Sequence, residues 1–122
     1  MMGEVYPRLG DCRITMGGII ECSPIEAKEW LDSGELVLID VREDNELVHS
    51  RVPGAVHIPM SRFNPDNLPL SRGKKVAFLC AQGIRSYQVG EYLVINGLLD
   101  EAYNITGGLA AWMQANIPIT KL

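Results

Sequence analysis

Residues 76–86 read VAFLCAQGIRS, and they predict a strand, a cysteine-containing loop and the beginning of a helix in direct succession. The apolar run at residues 76–81 follows two lysines and is typical of a strand that is buried on both faces of a sheet. Gly83 interrupts this run, because glycine adopts backbone conformations that other residues resist. From Ser86 onward the apolar residues recur at helical spacing, and Asn96-Gly97 predicts the end of that helix.

Cys80 is the residue of this loop that can act as a nucleophile. The pKa of a cysteine is about 8.5, and nearby cations or a helix N-terminus lower it until the thiolate dominates. A tight loop before a helix turns successive N–H groups inward, and Arg85 adds a fixed positive charge. A lone cysteine at a strand end is most often an inert buried residue. The strand end, the glycine loop and the arginine together favour a reactive thiolate in an anion-binding loop.

Four segments resemble, in the same order, the motifs of single-domain rhodaneses, the thiosulfate sulfurtransferase family. They are LIDVRE at residues 38–43, VPGAVHIP at 52–59, CAQGIRS at 80–86 and YNITGGLAAW at 103–112. The resemblance runs from about residue 22 to the end. The chain departs from it at Ser50-Arg51, where relatives commonly carry Gly-His, so any role of that histidine has no counterpart here.

Both the resemblance and the alternation of strands and helices predict an α/β fold. It is rhodanese-like, with a central parallel sheet flanked by helices on both faces and right-handed crossovers. At 122 residues the chain predicts one such domain at 16–122, preceded by an N-terminal extension at 1–15.

The resemblance implies that Cys80 is catalytic and carries a persulfide during sulfur transfer. It implies that the loop around this residue binds the substrate and the persulfide, and that residues near the site support it. The predicted loop residues are Ala81, Gln82, Gly83, Ile84 and Arg85, and the supporting residues are Asp40, Arg42 and Ser86. Asp40 and Arg42 flank the end of a predicted strand, where a fold-supporting ion pair is the alternative to a direct role.

The expected substrates are a small sulfane-sulfur donor such as thiosulfate and a thiophilic acceptor. That acceptor is cyanide, a thiol or a sulfur-carrier protein. A protein-to-protein sulfur relay or a redox-sensing module is the alternative function. A cysteine phosphatase or arsenate reductase is disfavoured, because four residues rather than five separate Cys80 from Arg85. One residue fewer shrinks the diameter of an idealised ring formed by the loop by about 1 Å. The smaller ring suits a single added sulfur on Cys80 better than a phosphoryl group.

Composition indicates which partners and which location to expect for this protein. The net charge of −4 argues against a nucleic-acid partner. No apolar run approaches the length of a membrane span, and the first residues lack the apolar centre of a secretory signal, so we predict a cytoplasmic protein with no membrane partner. Two histidines, His49 and His57, are a weak metal signal, and neither a metal nor a cofactor is expected. Cys12 and Cys22 are interpreted as structural or incidental thiols, and the alternative is a resolving role against an oxidised Cys80.

The remaining elements follow from capping and turn signals. The segment Ser23-Pro24-Ile25-Glu26 predicts a capping box and a helix that ends at Ser33-Gly34. Strands are predicted at residues 36–41, 56–58 and 101–105, and a short strand or hairpin around Gly17-Gly18. A short helix is predicted at 43–49 and a loop at 61–73. Thr106 is predicted to cap a last helix whose apolar face consists of Leu109, Trp112 and Met113.

Overall fold

The computed structural model describes residues 13–14, 18–69 and 73–121. Cys12 and residues 15–17, which include Gly17 of the predicted hairpin, lie outside these ranges. The strands are β1 Arg13–Ile14, β2 Ile19–Cys22, β3 Leu36–Asp40, β4 Ser50–Arg51, β5 Val56–His57, β6 Lys75–Leu79, β7 Ala102–Ile105 and β8 Thr120–Lys121. The helices are α1 Pro24–Asp32, α2 Asp44–Leu47, α3 Ile84–Ile95 and α4 Gly108–Gln114, with 3-10 turns at Met60–Arg62 and Pro65–Asn67.

A six-stranded sheet in the order β1-β2-β7-β6-β3-β5 forms the centre of the fold. Five neighbouring strands of this sheet pair in parallel, in the order β2, β7, β6, β3 and β5. Strand β1 adds an antiparallel edge next to β2. Strands β4 and β8 form a separate antiparallel pair. The predicted α/β class with a parallel central sheet is therefore confirmed. Residues 13–14, which the sequence placed in the N-terminal extension, form the edge strand of this sheet.

The sheet separates two hydrophobic cores, and the period of two along each strand decides which side chain enters which core. On β6, Ala77 and Leu79 pack with residues of α1 and α4, including Trp112. Phe78 and Cys80 point to the other side, where they pack with Val89 and other residues of α3. This explains the continuous apolar run at residues 76–81, because both faces of the strand are buried.

The capping box before α1 is present as predicted. The Glu26 N–H donates to Ser23 Oγ at 3.1 Å, and the Ser23 N–H donates to a Glu26 carboxylate oxygen at 3.2 Å. Pro24 occupies the first helical position, where its missing N–H costs nothing. Among the described helices, none has the length and apolarity that crossing a membrane requires.

Two helix beginnings differ from the prediction. α3 begins at Ile84 rather than Ser86, because Gly83 takes the left-handed conformation (φ +95°) at the cap and lets the helix start at once. α4 is capped by Gly107 rather than Thr106. Thr106 lies in the turn after β7, where its N–H donates to the Cys22 carbonyl at 2.9 Å. Met113 is 44% exposed, so it does not share the buried face of Trp112.

Candidate active site around Cys80

Cys80 lies immediately after β6, at the carboxyl end of the parallel strands. Ligands in open α/β sheets gather at this edge. Because its side chain follows the alternation of the strand, Sγ points toward the N-terminus of α3 rather than toward α4. Its carbonyl group faces the opposite way and accepts a hydrogen bond from the Leu109 N–H at 2.8 Å. The alternation of the strand therefore fixes the direction of the Cys80 side chain, and the hydrogen bond from α4 fixes its carbonyl group.

The loop after Cys80 folds back so that its donors converge on Sγ. The Gly83 N–H lies 3.1 Å from Sγ, and the Ser86 N–H lies 3.4 Å from it. The Ser86 hydroxyl lies 3.3 Å from the same sulfur. Gly83 is required at the bend, because an added Cβ would stand 3.1 Å from the backbone nitrogen of Gly107. A sulfur surrounded by N–H and O–H donors is an environment that suits a negative charge.

These contacts determine the acidity of the thiol. Burial raises the pKa of Cys80, but hydrogen bonds from the Ser86 hydroxyl and amide, and from the amides of Gln82 and Gly83, outweigh that cost. The net result is a pKa below the ordinary value of cysteine. The side chain is 1% exposed, so the thiolate would be shielded from water and held by protein donors instead.

Arg85 reaches this site as a paired charge. Its guanidinium donates two hydrogen bonds to the Glu46 carboxylate, at 2.7 and 2.9 Å. Glu46 also accepts the Glu43 N–H at 2.8 Å, and chiefly the contact with Arg85 lowers the pKa of Glu46 to about 2. The sequence indicated Arg85 as a fixed positive charge in the anion-binding loop. In the structure that charge is paired, and the ion pair joins the beginning of α3 to α2.

Asp40 and Arg42 form a buried ion pair at the end of β3. Arg42 Nη2 lies 2.9 Å from Asp40 Oδ2, and both side chains are almost fully buried. Arg42 also donates to the Ser50 carbonyl at 3.1 Å, which anchors the segment after α2. His57 Nε2 lies 2.7 Å from the Arg42 carbonyl oxygen. This arrangement corresponds to the fold-supporting alternative, one strand away from Cys80.

Asn104 is a buried polar residue of the site that the sequence analysis missed. Its Oδ1 accepts the Ser86 hydroxyl at 2.6 Å, and its Nδ2 donates to the Gly83 carbonyl at 3.1 Å. The same Nδ2 donates to the Glu21 carboxylate at 3.1 Å. A signal was available, because Asn104 is the one polar residue of the otherwise apolar strand β7. A polar side chain inside a strand that is buried on both faces needs partners.

Gly108 belongs to the segment at residues 103–112 that resembles a family motif, and the structure shows a specific contact at this residue. An alanine Cβ here would stand 2.7 Å from the carbonyl carbon of Ala81 and 2.7 Å from the Gln82 nitrogen. The absence of a side chain lets α4 approach the loop, so that the Ala110 N–H donates to the Ala81 carbonyl at 3.1 Å. With two carbonyls held by α4, the loop amides are free to turn toward Sγ.

Comparisons with known proteins agree with this architecture. A sequence-family model described as a Rhodanese-like domain matches residues 23–115. The chain belongs to the rhodanese-like domain family. It is 39% identical over 95 residues to the "Putative sulfurtransferase YtwF" of Bacillus subtilis, covering 77% of this chain and 90% of that protein. It is 28% identical over 99 residues to the thiosulfate sulfurtransferase GlpE of Glaesserella parasuis, covering 81% and 91%.

The fold of a solved relative also matches. The crystal structure of a rhodanese-like domain protein from Staphylococcus aureus superposes with a TM-score of 0.64 at 37% identity, covering 75% of this chain and 89% of that one. Relatives named as sulfurtransferases place this rhodanese-like domain with the sulfurtransferases at the level of the family.

The structure brings most of the predicted site residues of this rhodanese-like domain together. Cys80, Gly83 and Ser86 are in direct hydrogen-bond contact, whereas Asp40 and Arg42 form their own pair. Cys22 packs into the core on the opposite face of the sheet from Cys80. Within the part of the chain that is described, no group of three or more His, Cys, Asp or Glu side chains could hold a metal ion.

Proposed function

We propose that this rhodanese-like domain transfers sulfane sulfur through a persulfide on Cys80. The carrying observation is the set of hydrogen-bond donors directed at Sγ, which lower the pKa of the thiol despite its burial. A thiolate is the nucleophile that sulfur transfer requires. The names of the related sulfurtransferases support the same class of reaction.

The first half-reaction consumes one donor molecule. The Cys80 thiolate attacks the outer sulfur of thiosulfate, the sulfur–sulfur bond of the donor breaks, and sulfite leaves with the electron pair. Sγ is then a neutral bridging sulfur, and the terminal persulfide sulfur carries the negative charge. The amides of Gln82, Gly83 and Ser86 already point at Sγ before the reaction, and we expect the loop amides to stabilise that charge.

The second half-reaction regenerates the thiolate. A cyanide ion or an acceptor thiolate attacks the terminal sulfur, and Sγ leaves with the electron pair. The Arg85–Glu46 pair keeps the loop in one conformation through both steps. A protein acceptor is favoured by Ile84, which is 66% exposed beside the exposed Gln82 and gives the rim of the loop an apolar contact surface.

The loop has no charged side chain before Arg85, and that charge is already engaged by Glu46. We therefore propose sulfane donors as a class, with thiosulfate as the first to be tested. A cytoplasmic location, and the lack of nucleic-acid or membrane partners, stay predictions from composition.

Mass spectrometry of the intact protein tests the proposal. Incubation with thiosulfate or polysulfide, followed by removal of the donor, should add the mass of one sulfur to the wild type and none to Cys80→Ser. Cys22→Ser serves as the matched control, because Cys22 is also buried, and it should gain sulfur like the wild type. Addition of cyanide should release the sulfur as thiocyanate.

Two results would count against the proposal. One is a wild type that gains no sulfur from any sulfane donor. The other is hydrolysis of an aryl phosphate that depends on Cys80, since this would assign the loop to a phosphatase instead.

A further inference from the structure

The Ser86 hydroxyl has one proton and two acceptors. Its oxygen lies 2.6 Å from Asn104 Oδ1 and 3.3 Å from Cys80 Sγ. Each distance is short enough for the hydroxyl to donate a hydrogen bond to that atom, and the bond to sulfur is longer because sulfur is the larger acceptor. A hydroxyl donates only one hydrogen at a time, so these two bonds exclude each other. Ser86 is fully buried, and bulk water therefore cannot replace the bond that is not made.

The orientation of the Asn104 amide is fixed by its other partners. Nδ2 donates to the Glu21 carboxylate and to the Gly83 carbonyl, both of which can only accept. A flipped amide would place its single oxygen, Oδ1, against these two acceptors with no proton between them, so Oδ1 has to face Ser86. Glu21 is itself held by the Thr106 hydroxyl at 2.7 Å. Asn104 thus presents a permanent acceptor that competes with Sγ.

We propose that Asn104 is a positioning residue that makes the Ser86 hydroxyl a two-position switch, donating to Asn104 while Sγ is uncharged and to Sγ while Cys80 is a thiolate. In the thiol form, the Cys80 S–H donates to Ser86 Oγ and the hydroxyl donates to Asn104. In the thiolate form, the hydroxyl rotates about its Cβ–Oγ bond toward the charged sulfur. No covalent bond changes in this rotation.

The switch has a consequence for sulfur transfer, and this part rests on the proposed function. When the persulfide forms, the charge moves from Sγ to the terminal sulfur, and Sγ no longer needs a donor from Ser86. Without Asn104, the Ser86 hydroxyl proton would then face a neutral sulfur in a buried site. With Asn104 present, the hydroxyl donates to Oδ1 again, so the persulfide form keeps a hydrogen bond that it would otherwise lack.

Other charges around Cys80 act in both positions of the switch. They are Arg85 on α3, its partner Glu46 on α2, Glu21 behind Asn104 on β2, and the Asp40–Arg42 pair at the end of β3. None of them shares the Ser86 proton. Replacement of Asn104 also removes the Nδ2 bonds to Glu21 and to the Gly83 carbonyl, and that part of its effect on the Cys80 thiolate should be the same with or without the Ser86 hydroxyl.

A double-mutant cycle read by pH-dependent alkylation tests the inference. Asn104→Leu should lower the midpoint of Cys80 alkylation by iodoacetamide, because Sγ becomes the remaining acceptor of the Ser86 proton. The thiolate fraction at a pH below the midpoint should rise about three- to tenfold. Ser86→Ala should raise the midpoint. In the Ser86→Ala background, Asn104→Leu removes only the Nδ2 bonds to Glu21 and Gly83, so it should not produce this lowering of the midpoint, and an equal shift in both backgrounds would overturn the inference.

A second measurement uses the wild type, so that it does not depend on a substituted core. The side-chain carbonyl ¹³C resonance of Asn104 should move with the ionisation of Cys80 and move back when thiosulfate converts the thiolate to the persulfide. Ser86→Ala should abolish the movement. A resonance that is indifferent to ionisation of Cys80 would refute the switch. A protein that never gains sulfur by mass while this resonance still titrates would refute the proposed function alone.

Discussion

Replacement of Gly108 by alanine tests whether α4 holds the Cys80 loop in place. The new Cβ would stand 2.7 Å from the Ala81 carbonyl carbon and 2.7 Å from the Gln82 nitrogen. Both are backbone atoms, and the Leu109 N–H bond to the Cys80 carbonyl holds this part of the loop close to α4. The clash therefore cannot be relieved by turning a flexible side chain, and the loop itself has to move.

The loss of folding stability in Gly108→Ala has two parts. Gly108 has φ +61°, and a non-glycine residue in the left-handed region costs about 1–2 kcal/mol. Inserting a carbon into a well-packed contact adds about 1–3 kcal/mol. Gly97 offers a matched control, because it has φ +72° and no heavy atom within 4 Å of its added Cβ. Gly97→Ala should lose only the first part.

Urea unfolding and alkylation of Cys80 measure the two consequences. Gly108→Ala should lower the free energy of unfolding by about 1–3 kcal/mol more than Gly97→Ala. It should also raise the pKa of Cys80, because a displaced loop no longer directs the Gly83 amide at Sγ. Gly97→Ala should leave the alkylation profile as in the wild type.

Equal losses of stability in the two variants, together with an unchanged Cys80 profile in Gly108→Ala, would refute this reasoning. The contact between α4 and the loop would then be incidental. If only the stability result held, α4 would support the fold without orienting the amides.

Three ion pairs provide further predictions. Glu46→Gln should lower the free energy of unfolding at pH 7 by about 1–2 kcal/mol, a value that allows for the partial exposure of the pair. Urea unfolding measured as a function of pH should show this difference from the wild type shrinking as the pH falls from about 4.5 toward 2. The sign follows from the lowered pKa of Glu46, because the contact with Arg85 is lost as the carboxylate takes up a proton. Asp40→Asn should cost about 3 kcal/mol in the same assay, because it leaves the Arg42 charge buried without a counterion, and a change below 1 kcal/mol would contradict that account. Asp32→Asn, which removes an exposed surface pair, should change stability by less than about 0.5 kcal/mol.

The sequence predicted the elements that depend on local chemistry. The capping box at Ser23 and Glu26 is a four-residue signal, and the structure reproduces it. The apolar run at residues 76–81 predicted a strand buried on both faces, and Phe78 and Leu79 indeed enter opposite cores. The predictions failed where a residue had a partner far away in the chain. Thr106 looked like a helix cap, but its hydrogen bonds to Cys22 and Glu21 of β2 hold it in the turn between β7 and α4.

The same division holds at the candidate site. Cys80, the glycine bend and the helix after it could be predicted from the sequence, because they lie within seven consecutive residues. The partner of Arg85 could not, because Glu46 lies 39 positions earlier in the chain. Asn104 stands out in the sequence as a polar residue of an apolar strand, but its place at the site, like that of Gly108, depends on the pairing of β6 with β7 beside the loop.

The amino-acid sequence by itself determined that one cysteine ends a buried strand and precedes a glycine bend and a helix. These are local preferences of the backbone, and they need no distant partner. Only the tertiary structure decided that Arg85 is neutralised by Glu46, that α4 holds the loop carbonyls, and that Asn104 competes with Sγ for one proton. Hydrogen bonds and charge pairs act over about 3 Å in space, whatever the distance along the chain.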